Sequence, residues 1–253
     1  MNVSICRKQR GFTLIELAIV LVIIGVLIGS FIGTLGSRID TTRRAETAED
    51  LERIKTALLG FAYSSGGPYL PCPCTNDCDT DPDFAPPTEP GQENRGLGGA
   101  CTAGTTVGYL PWGTLGLKPG DSWNTLYSYW VDPDFSDSVA VFDLADTGSG
   151  QVRTRSPDGA NTPLVAGNVV AVVFSHGKNT YGGLSVAGNA LPAILAANVD
   201  EINNADNNSE FVSRVPTGPG ATTAGGEYDD IVIWITDYEI KARMIDAGML
   251  ALP

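Results

Sequence analysis

Histidine and basic residues are scarce in this chain of 253 residues, and their scarcity excludes several functions. The sequence has one histidine, His176, and its 29 acidic residues outnumber 16 basic ones, for a formal net charge of −13. Because binding to phosphates needs a basic face, nucleic acid is excluded as a partner. Ser175 and His176 are neighbours that would point apart on an extended chain, so they do not indicate a nucleophilic site. We expect that the protein is not an enzyme.

Motifs for cofactors and for ordinary secretion are also missing. The sequence contains no phosphate-binding loop, no dinucleotide-binding fingerprint and no pair of Cys-x-x-Cys sequences, so we expect no cofactor. The residues that follow the N-terminal apolar run read GSRIDTTRRAE and contain no A-x-A cleavage pattern. We therefore expect the apolar run to be retained in the mature protein.

The N-terminal segment differs in composition from the rest of the chain. Residues 1–11 are basic, and residues 12–35 are apolar except for Glu16 and a few small residues. As a helix, this run would extend roughly 36 Å, enough to cross a hydrocarbon core of ~30 Å. We predict a leader over 1–11 and a transmembrane helix over 12–36. Basic residues flank both ends, so orientation depends on the short leader and on clustered cysteines, which favour an external C-terminal domain.

The same helix is predicted to continue as an amphipathic helix over 37–62. This stretch has no proline, and its first glycine is Gly60. One helix from 13 to 62 would be about 75 Å long. Its apolar residues follow helical spacing and would pack on a globular domain over 63–253. They are Ile39, Ala45, Ala48, Leu51, Ile54, Leu58 and Phe61.

Four later segments are rich in β-branched and aromatic residues and are predicted to be strands. They are Leu126–Val131, Val139–Leu144, Val169–Phe174 and Ile231–Thr236. Short loops between them favour antiparallel pairing. The sequence from Thr236 to Glu239 has the form of a capping box and predicts a final helix over about 237–247. We therefore expect an α+β fold, with a long N-terminal helix packed on an antiparallel β-sheet.

Four of the five cysteines fall within a stretch of 30 residues, in an acidic and loop-like region over about 64–122: Cys72, Cys74, Cys78 and Cys101. In an oxidising compartment we expect them to form two disulfides. Cys72 and Cys74 are too close to favour bridging each other, so each would pair with Cys78 or Cys101. The alternative is a zinc site, which the expected compartment disfavours. The fifth cysteine, Cys6, lies in the leader.

Aspartates alternate along part of the same loop, at Asp77, Asp79, Asp81 and Asp83. Calcium prefers oxygen ligands, and carboxylates at every second position can converge in a loop. The glycine and the bidentate glutamate of an EF-hand are missing, however, and Pro82 restricts the residue before it. We favour a solvated acidic loop without a metal and keep calcium as the alternative.

The sequence from Lys8 to Leu17, KQRGFTLIEL, carries a more specific signal. With the apolar run that follows, it resembles at every position the cleavage and methylation motif of type IV prepilins and pseudopilins. The resemblance implies cleavage between Gly11 and Phe12 and N-methylation of Phe12. It also implies that Glu16 is needed for methylation and for docking against the previous subunit. The implied partners are a prepilin peptidase/methyltransferase, other pilin or pseudopilin subunits and the inner membrane, and the expected α+β fold is also pilin-like.

Elementary electrostatics agrees with a role for Glu16. Cleavage would create an α-amine at Phe12, and a carboxylate and an amine attract strongly in a low dielectric. The alternative is a tolerated carboxylate near the membrane edge. Many major pilins carry a proline in the second half of this helix, where the present chain has Gly25, Gly29 and Gly33. These glycines form a small-residue stripe for helix packing, or reflect the frequency of glycine in membrane helices.

These observations lead to one main hypothesis and one alternative. The chain is expected to be a type IV pilin-like subunit, either a minor pilin or a pseudopilin. It would first cross the bacterial inner membrane once, with its C-terminal domain outside, and then enter a pilus or pseudopilus. The alternative is a membrane-anchored extracytoplasmic binding module that does not polymerise.

Overall fold

The computed structural model describes residues 13–74, 90–102, 107–156, 158–159, 161–206 and 208–251, without the side chains of 30–35, 37 and 107. The chain divides into two units, Met1–Thr42 and Arg43–Pro253. Helix α1 spans Leu14–Ser64, which confirms the continuous helix predicted over 13–62. Within the residues described, the structure contains no helix with both the length and the apolar character that crossing a membrane requires.

The second unit also contains short helices and the strands of one sheet. In chain order, the elements after α1 are β1 (Val107–Tyr109), α2 (Trp112–Leu115), β2 (Ser128–Val131), α3 (Pro133–Ser136), β3 (Gly150–Arg153), β4 (Leu164–Ser175), α4 (Val199–Ala205), β5 (Glu210–Val212), β6 (Ile231–Thr236) and α5 (Asp237–Asp246). Three of the four predicted strands are confirmed, because β2, β4 and β6 contain or overlap the predicted segments.

The long strand β4 organises the sheet. It pairs antiparallel with β2, β3 and β6, and the strand order is β1-β2-β4-β3-β5, with β6 paired to β4 off this path. The pair of β3 and β5 is parallel, so the prediction of a purely antiparallel sheet is wrong, and the fold is α+β with a mixed sheet. The physical reason is the connection, since β5 is reached from β4 through a long segment that contains α4 and not through a hairpin.

Helix α4 also holds the short strand β5 in place. The side-chain amide of Asn204 accepts a hydrogen bond from the Val212 amide N–H at 2.7 Å and donates one to the Val212 carbonyl oxygen at 3.1 Å. A side chain therefore makes the two bonds that a neighbouring strand would make, which satisfies the backbone at this edge.

The strand predicted over Val139–Leu144 is wrong. The Asp137 carboxylate accepts hydrogen bonds from the amide groups of Val139 and Ala140, at 2.7 and 2.8 Å. A local turn therefore uses the donors that a strand would offer to a neighbour. Phe142 is the buried residue of this segment, and its ring packs on Phe135 with the ring centroids 4.7 Å apart.

Buried side chains lie on both faces of the sheet. On one face, Leu51, Ile54 and Leu58 of α1 pack in one buried cluster with residues of β2, β4, β6 and α5. This confirms the central part of the predicted apolar stripe, whereas Ala45 and Ala48 are exposed. On the other face lies a second buried cluster, which comprises Trp130, Val152, Val169, Val172, Phe174 and Phe211. The alternation of side chains along β2 and β4 places residues on both faces.

Helix α5 begins and ends as predicted. The Thr236 hydroxyl oxygen accepts the Glu239 amide N–H at 3.3 Å, as an N-cap does. The Glu239 carboxylate pairs with Lys55 of α1 at 2.8 Å, so it links two helices. Gly248, which follows the helix, has a φ of 72°, a conformation that glycine adopts without strain.

The cysteine-rich region is cross-linked to itself. Cys72 and Cys101 form a disulfide with their Cα atoms 5.3 Å apart. Cys74 is disulfide-bonded as well, and Cys78 lies outside the described residues. Arg95 adds a polar cross-link, since it donates to the carbonyl oxygens of Leu70, Gly99 and Ser136.

Candidate assembly site at the start of the N-terminal helix

Glu16 takes part in a capping box at the first turn of α1. The amide N–H and the hydroxyl of Thr13 both donate to Glu16 Oε2, at 2.9 and 2.8 Å. In return, the Glu16 amide N–H donates to Thr13 Oγ1 at 3.3 Å. Because α1 begins at Leu14, Thr13 is the N-cap residue and Glu16 is the third residue of the helix. The two side chains therefore satisfy backbone donors that the helix leaves free at its start.

This capping box was not predicted, although its signal is present in the sequence. Thr13-Leu14-Ile15-Glu16 has the Ser/Thr-x-x-Glu spacing of a capping box immediately before an apolar run. The same pattern was recognised at Thr236. At Glu16 the predicted roles of the carboxylate were methylation, pairing with an amine of a neighbouring subunit, or none as a tolerated charge.

The helix that follows exposes an apolar surface on all sides. From Leu14 to Ile28, every large apolar side chain leaves 45–88 % of its surface exposed. Gly25 and Gly29 lie on this part of α1, and a Cβ atom added to either would meet nothing within 4 Å. Fully burying one such aliphatic side chain stabilises a protein by about 1.5–3 kcal/mol, so this surface is suited to contact with apolar partners.

Two residues of the predicted processing site lie outside the described residues. They are Gly11 and Phe12, on either side of the predicted cleavage point. The structure therefore places Glu16, with Thr13, at the start of α1, and the cleavage between Gly11 and Phe12 stays a prediction.

A cluster of carboxyl groups is the second notable site. Carboxylate oxygens of Glu201, Asp229 and Asp230 lie within 4.8 Å of one another, and Glu201 and Asp230 are almost fully buried. Burial raises the pKa of each of the three carboxyl groups, and that of Asp229 reaches about 6. Like charges this close disfavour one another, so the cluster favours protons or another cation.

Asparagine side chains support the cluster. Asn179 donates to Glu201 at 2.7 Å, and Asn204 donates to Asp230 at 2.7 Å. The Asn179 amide N–H donates to Asp229 Oδ2 at 2.8 Å, while Asp229 Oδ1 is buried and has no hydrogen-bond partner among the described residues. Oxygens at this spacing are of the kind that bind divalent cations. This cluster is not apparent from the sequence, because Glu201 lies 28 residues before the adjacent pair Asp229 and Asp230.

The four aspartates that were considered as calcium ligands in the sequence analysis lie outside the described residues: Asp77, Asp79, Asp81 and Asp83. That alternative therefore stays a prediction.

His176 is buried in a network of hydrogen bonds. Its Nε2 atom lies 2.9 Å from the Ser128 hydroxyl oxygen, and burial lowers its pKa to about 4. The neighbouring Ser175 donates to Asp121 Oδ2 at 2.6 Å, so the two adjacent residues have different partners. A neutral, enclosed imidazole suits a structural role, because a general base must reach a substrate.

The second unit also has a cavity of about 370 Å³ beside two arginines, Arg155 and Arg214. The guanidinium groups of both donate to the fully buried carboxylate of Asp200, and the Arg214 Nε contact is 2.6 Å long. Asp158 and several hydroxyl groups also line the cavity. Both arginines are already paired with Asp200, so the cavity by itself does not identify a class of ligand.

The comparison with protein families identifies the N-terminal segment. Residues 6–32 match the family model described as the prokaryotic N-terminal methylation motif. This motif is the signature of type IV pilins and pseudopilins, so the resemblance read from the sequence is confirmed. No curated protein and no solved structure is significantly similar to the chain.

Proposed function

We propose that this chain is the precursor of a type IV pilin-like subunit, either a minor pilin or a pseudopilin, and that its role is structural and not enzymatic. The observation that carries the proposal is the match of residues 6–32 to the methylation motif. The motif implies a prepilin peptidase that cuts between Gly11 and Phe12 and a methyltransferase that modifies Phe12.

Assembly is proposed to proceed through the N-terminal helix. The apolar side chains from Leu14 to Ile28 need partners, since this surface is exposed in the single chain. Equivalent helices of neighbouring subunits would bury it in a filament, and Gly25 and Gly29 would let another helix approach closely. The Glu16 carboxylate would then accept a hydrogen bond from the α-amine that cleavage creates at Phe12 of a neighbouring subunit.

The proposed location follows from the same segment and from the disulfides. Before assembly, residues 12–36 would cross the bacterial inner membrane once, and the C-terminal domain would lie outside the cytoplasm. The disulfides at Cys72–Cys101 and Cys74 support an oxidising compartment for that domain. The mature subunit would then lie in a pilus or a secretion pseudopilus.

Mass analysis of the mature N-terminus tests the proposal. We expect a methylated Phe12 as the first residue, and we expect that Gly11→Val blocks this processing, because the peptidase must fit a residue without a side chain before the cleaved bond. Gly36→Val, within α1 and away from the cleaved bond, is the matched control. An intact Met1 in the mature wild-type protein, or normal processing of Gly11→Val, would contradict the proposal.

In the alternative function, the domain is an anchored extracytoplasmic binding module, and the cavity beside Arg155 and Arg214 is where it would hold a ligand. An anchored binding module that does not polymerise would retain this cavity but would not need Glu16. Recovery of the protein from sheared or purified filaments separates the two functions, since a subunit is found there and an anchored module is not.

A further inference from the structure

The capping box at the start of α1 engages one of the two oxygens of Glu16. Both donors of Thr13, the amide N–H and the hydroxyl, bind Oε2. The same hydroxyl oxygen accepts the Glu16 amide N–H. Oε1 takes no bond from Thr13 and is thus available to a further donor. Both residues are exposed in the single chain, so a neighbouring subunit can reach them.

This contact affects how readily Glu16 can be buried. A glutamate side chain has several rotatable bonds, and fixing it in an interface reduces its conformational entropy. Here the side chain is already held within its own subunit, so less freedom is lost on assembly. A carboxylate that keeps two hydrogen bonds from its own chain is also less unfavourable in apolar surroundings than a bare one.

We propose that Thr13 is a positioning residue for subunit assembly. Its hydroxyl holds the Glu16 carboxylate by Oε2, so that Oε1 accepts a hydrogen bond from the α-amine of a neighbouring subunit. Thr13 does not contact that amine itself. This inference rests on the proposed function, because it assumes that the α-amine is created by cleavage before Phe12.

Substitutions of Thr13 separate the hydroxyl from the shape of the side chain. Thr13→Val keeps the shape and removes the group that both donates to Oε2 and accepts from the Glu16 amide. Thr13→Ser keeps that group. We expect the loss of a capping hydroxyl to lower incorporation into filaments about five-fold, from the usual effect of removing an N-cap. Thr13→Ser is expected to restore incorporation to within roughly two-fold of wild type, because serine caps helices as well as threonine.

The experiment uses the full chain, expressed at equal level in cells that lack the wild-type copy. Incorporation is measured as the amount in sheared filaments per mature subunit, so that any change in cleavage is removed from the comparison. Thr42→Val, an exposed position of α1, is the matched control and is expected to behave as wild type. Glu16→Leu is included to test the pairing itself.

Each outcome bears on the inference. If the Thr13→Val variant assembles as well as wild type, or better, the inference is wrong, because the hydroxyl then does not position Glu16 for assembly. Thr13→Ser that assembles as poorly as Thr13→Val also overturns it, since the methyl group would then be the part that matters. If Glu16→Leu assembles normally, the pairing in the proposed function is wrong. If Glu16→Leu fails to enter filaments while Thr13→Val enters them normally, the pairing of Glu16 stands and only the role proposed for Thr13 is wrong.

Discussion

Asp229 is the residue through which we expect pH to act measurably on stability. Burial, opposed by the Asn179 amide and reinforced by the Glu201 carboxylate, raises its pKa to about 6. The pKa of an aspartate in an unfolded chain is about 3.9. At a pH between these two pKa values, Asp229 keeps its proton in the folded protein and has released it in the unfolded chain. The contribution of Asp229 to the free energy of unfolding therefore falls as the pH rises through this window.

The size of the effect follows from the shift. About two pKa units at 1.36 kcal/mol per unit correspond to roughly 3 kcal/mol between the two ends of the window. His176 acts in the opposite direction, because burial lowers its pKa to about 4 and the unfolded chain then binds the extra proton. The pKa values of Glu201 and Asp230 are raised as well, so the wild-type profile combines several groups and a variant is needed to isolate Asp229.

Asp229→Asn isolates the contribution of Asp229 to the pH dependence. The side chain of the new asparagine has nearly the same shape as aspartate, and its oxygen can still accept a hydrogen bond from the Asn179 backbone N–H. We expect the variant to gain up to about 3 kcal/mol in the free energy of unfolding over wild type between about pH 4 and pH 7. Urea unfolding of the full chain, in one detergent and with a chelator present, measures this difference. Asp134→Asn, at an exposed aspartate, is the matched control and is expected to show no such trend.

A difference between Asp229→Asn and wild type that does not change with pH would refute the reasoning. A variant that is less stable than wild type near neutral pH would also refute it, because the ionised carboxylate would then be stabilising. If that reversal occurs only when calcium is added, the cluster of Glu201, Asp229 and Asp230 holds a cation instead of a proton.

Three other substitutions test the remaining conclusions. Glu16→Leu is expected to leave the cellular level of the protein unchanged and to lower its amount in sheared filaments steeply, and equal incorporation would contradict the proposed pairing. Cys72→Ser with Cys101→Ser is expected to lower the free energy of unfolding by about 2–4 kcal/mol, and mass analysis without reductant should detect the loss of one disulfide. Free thiols in the wild-type protein would contradict that expectation. Leu58→Ala is expected to destabilise the second unit by about 2–5 kcal/mol in urea unfolding, because Leu58 is fully buried. Glu52→Ala, on the exposed face of the same helix, is its control, and an equal effect of both would show that the burial of Leu58 is not responsible.

The local elements could be predicted where one pattern dominates. Helix α1 was predictable because its charged and apolar residues repeat at helical spacing without proline. Strand β6 was predictable because β-branched and aromatic residues favour an extended chain. The cleavage and methylation motif was recognisable for a different reason, since order, spacing and the following apolar run had to agree together.

The two wrong predictions, a strand over Val139–Leu144 and a purely antiparallel sheet, share a physical cause. Val139–Leu144 has the composition of a strand, but the Asp137 carboxylate binds two of its amide groups, and that competition depends on the turn that precedes it. The parallel pairing of β3 with β5 depends on the path of the chain through α4. Composition carries no information about such a path, because neighbours in the sheet are distant in sequence.

The sequence by itself determined the class of the N-terminal segment and the long helix, because each depends on residues that are close together in the chain. Only the tertiary structure decided that Cys72 pairs with Cys101, since the spacing left Cys78 open as its partner. It alone decided that Glu201 meets Asp229, because folding brings together carboxyl groups that the chain keeps far apart. The shifts in pKa follow from such proximity and from burial, and neither proximity nor burial exists until the chain has folded.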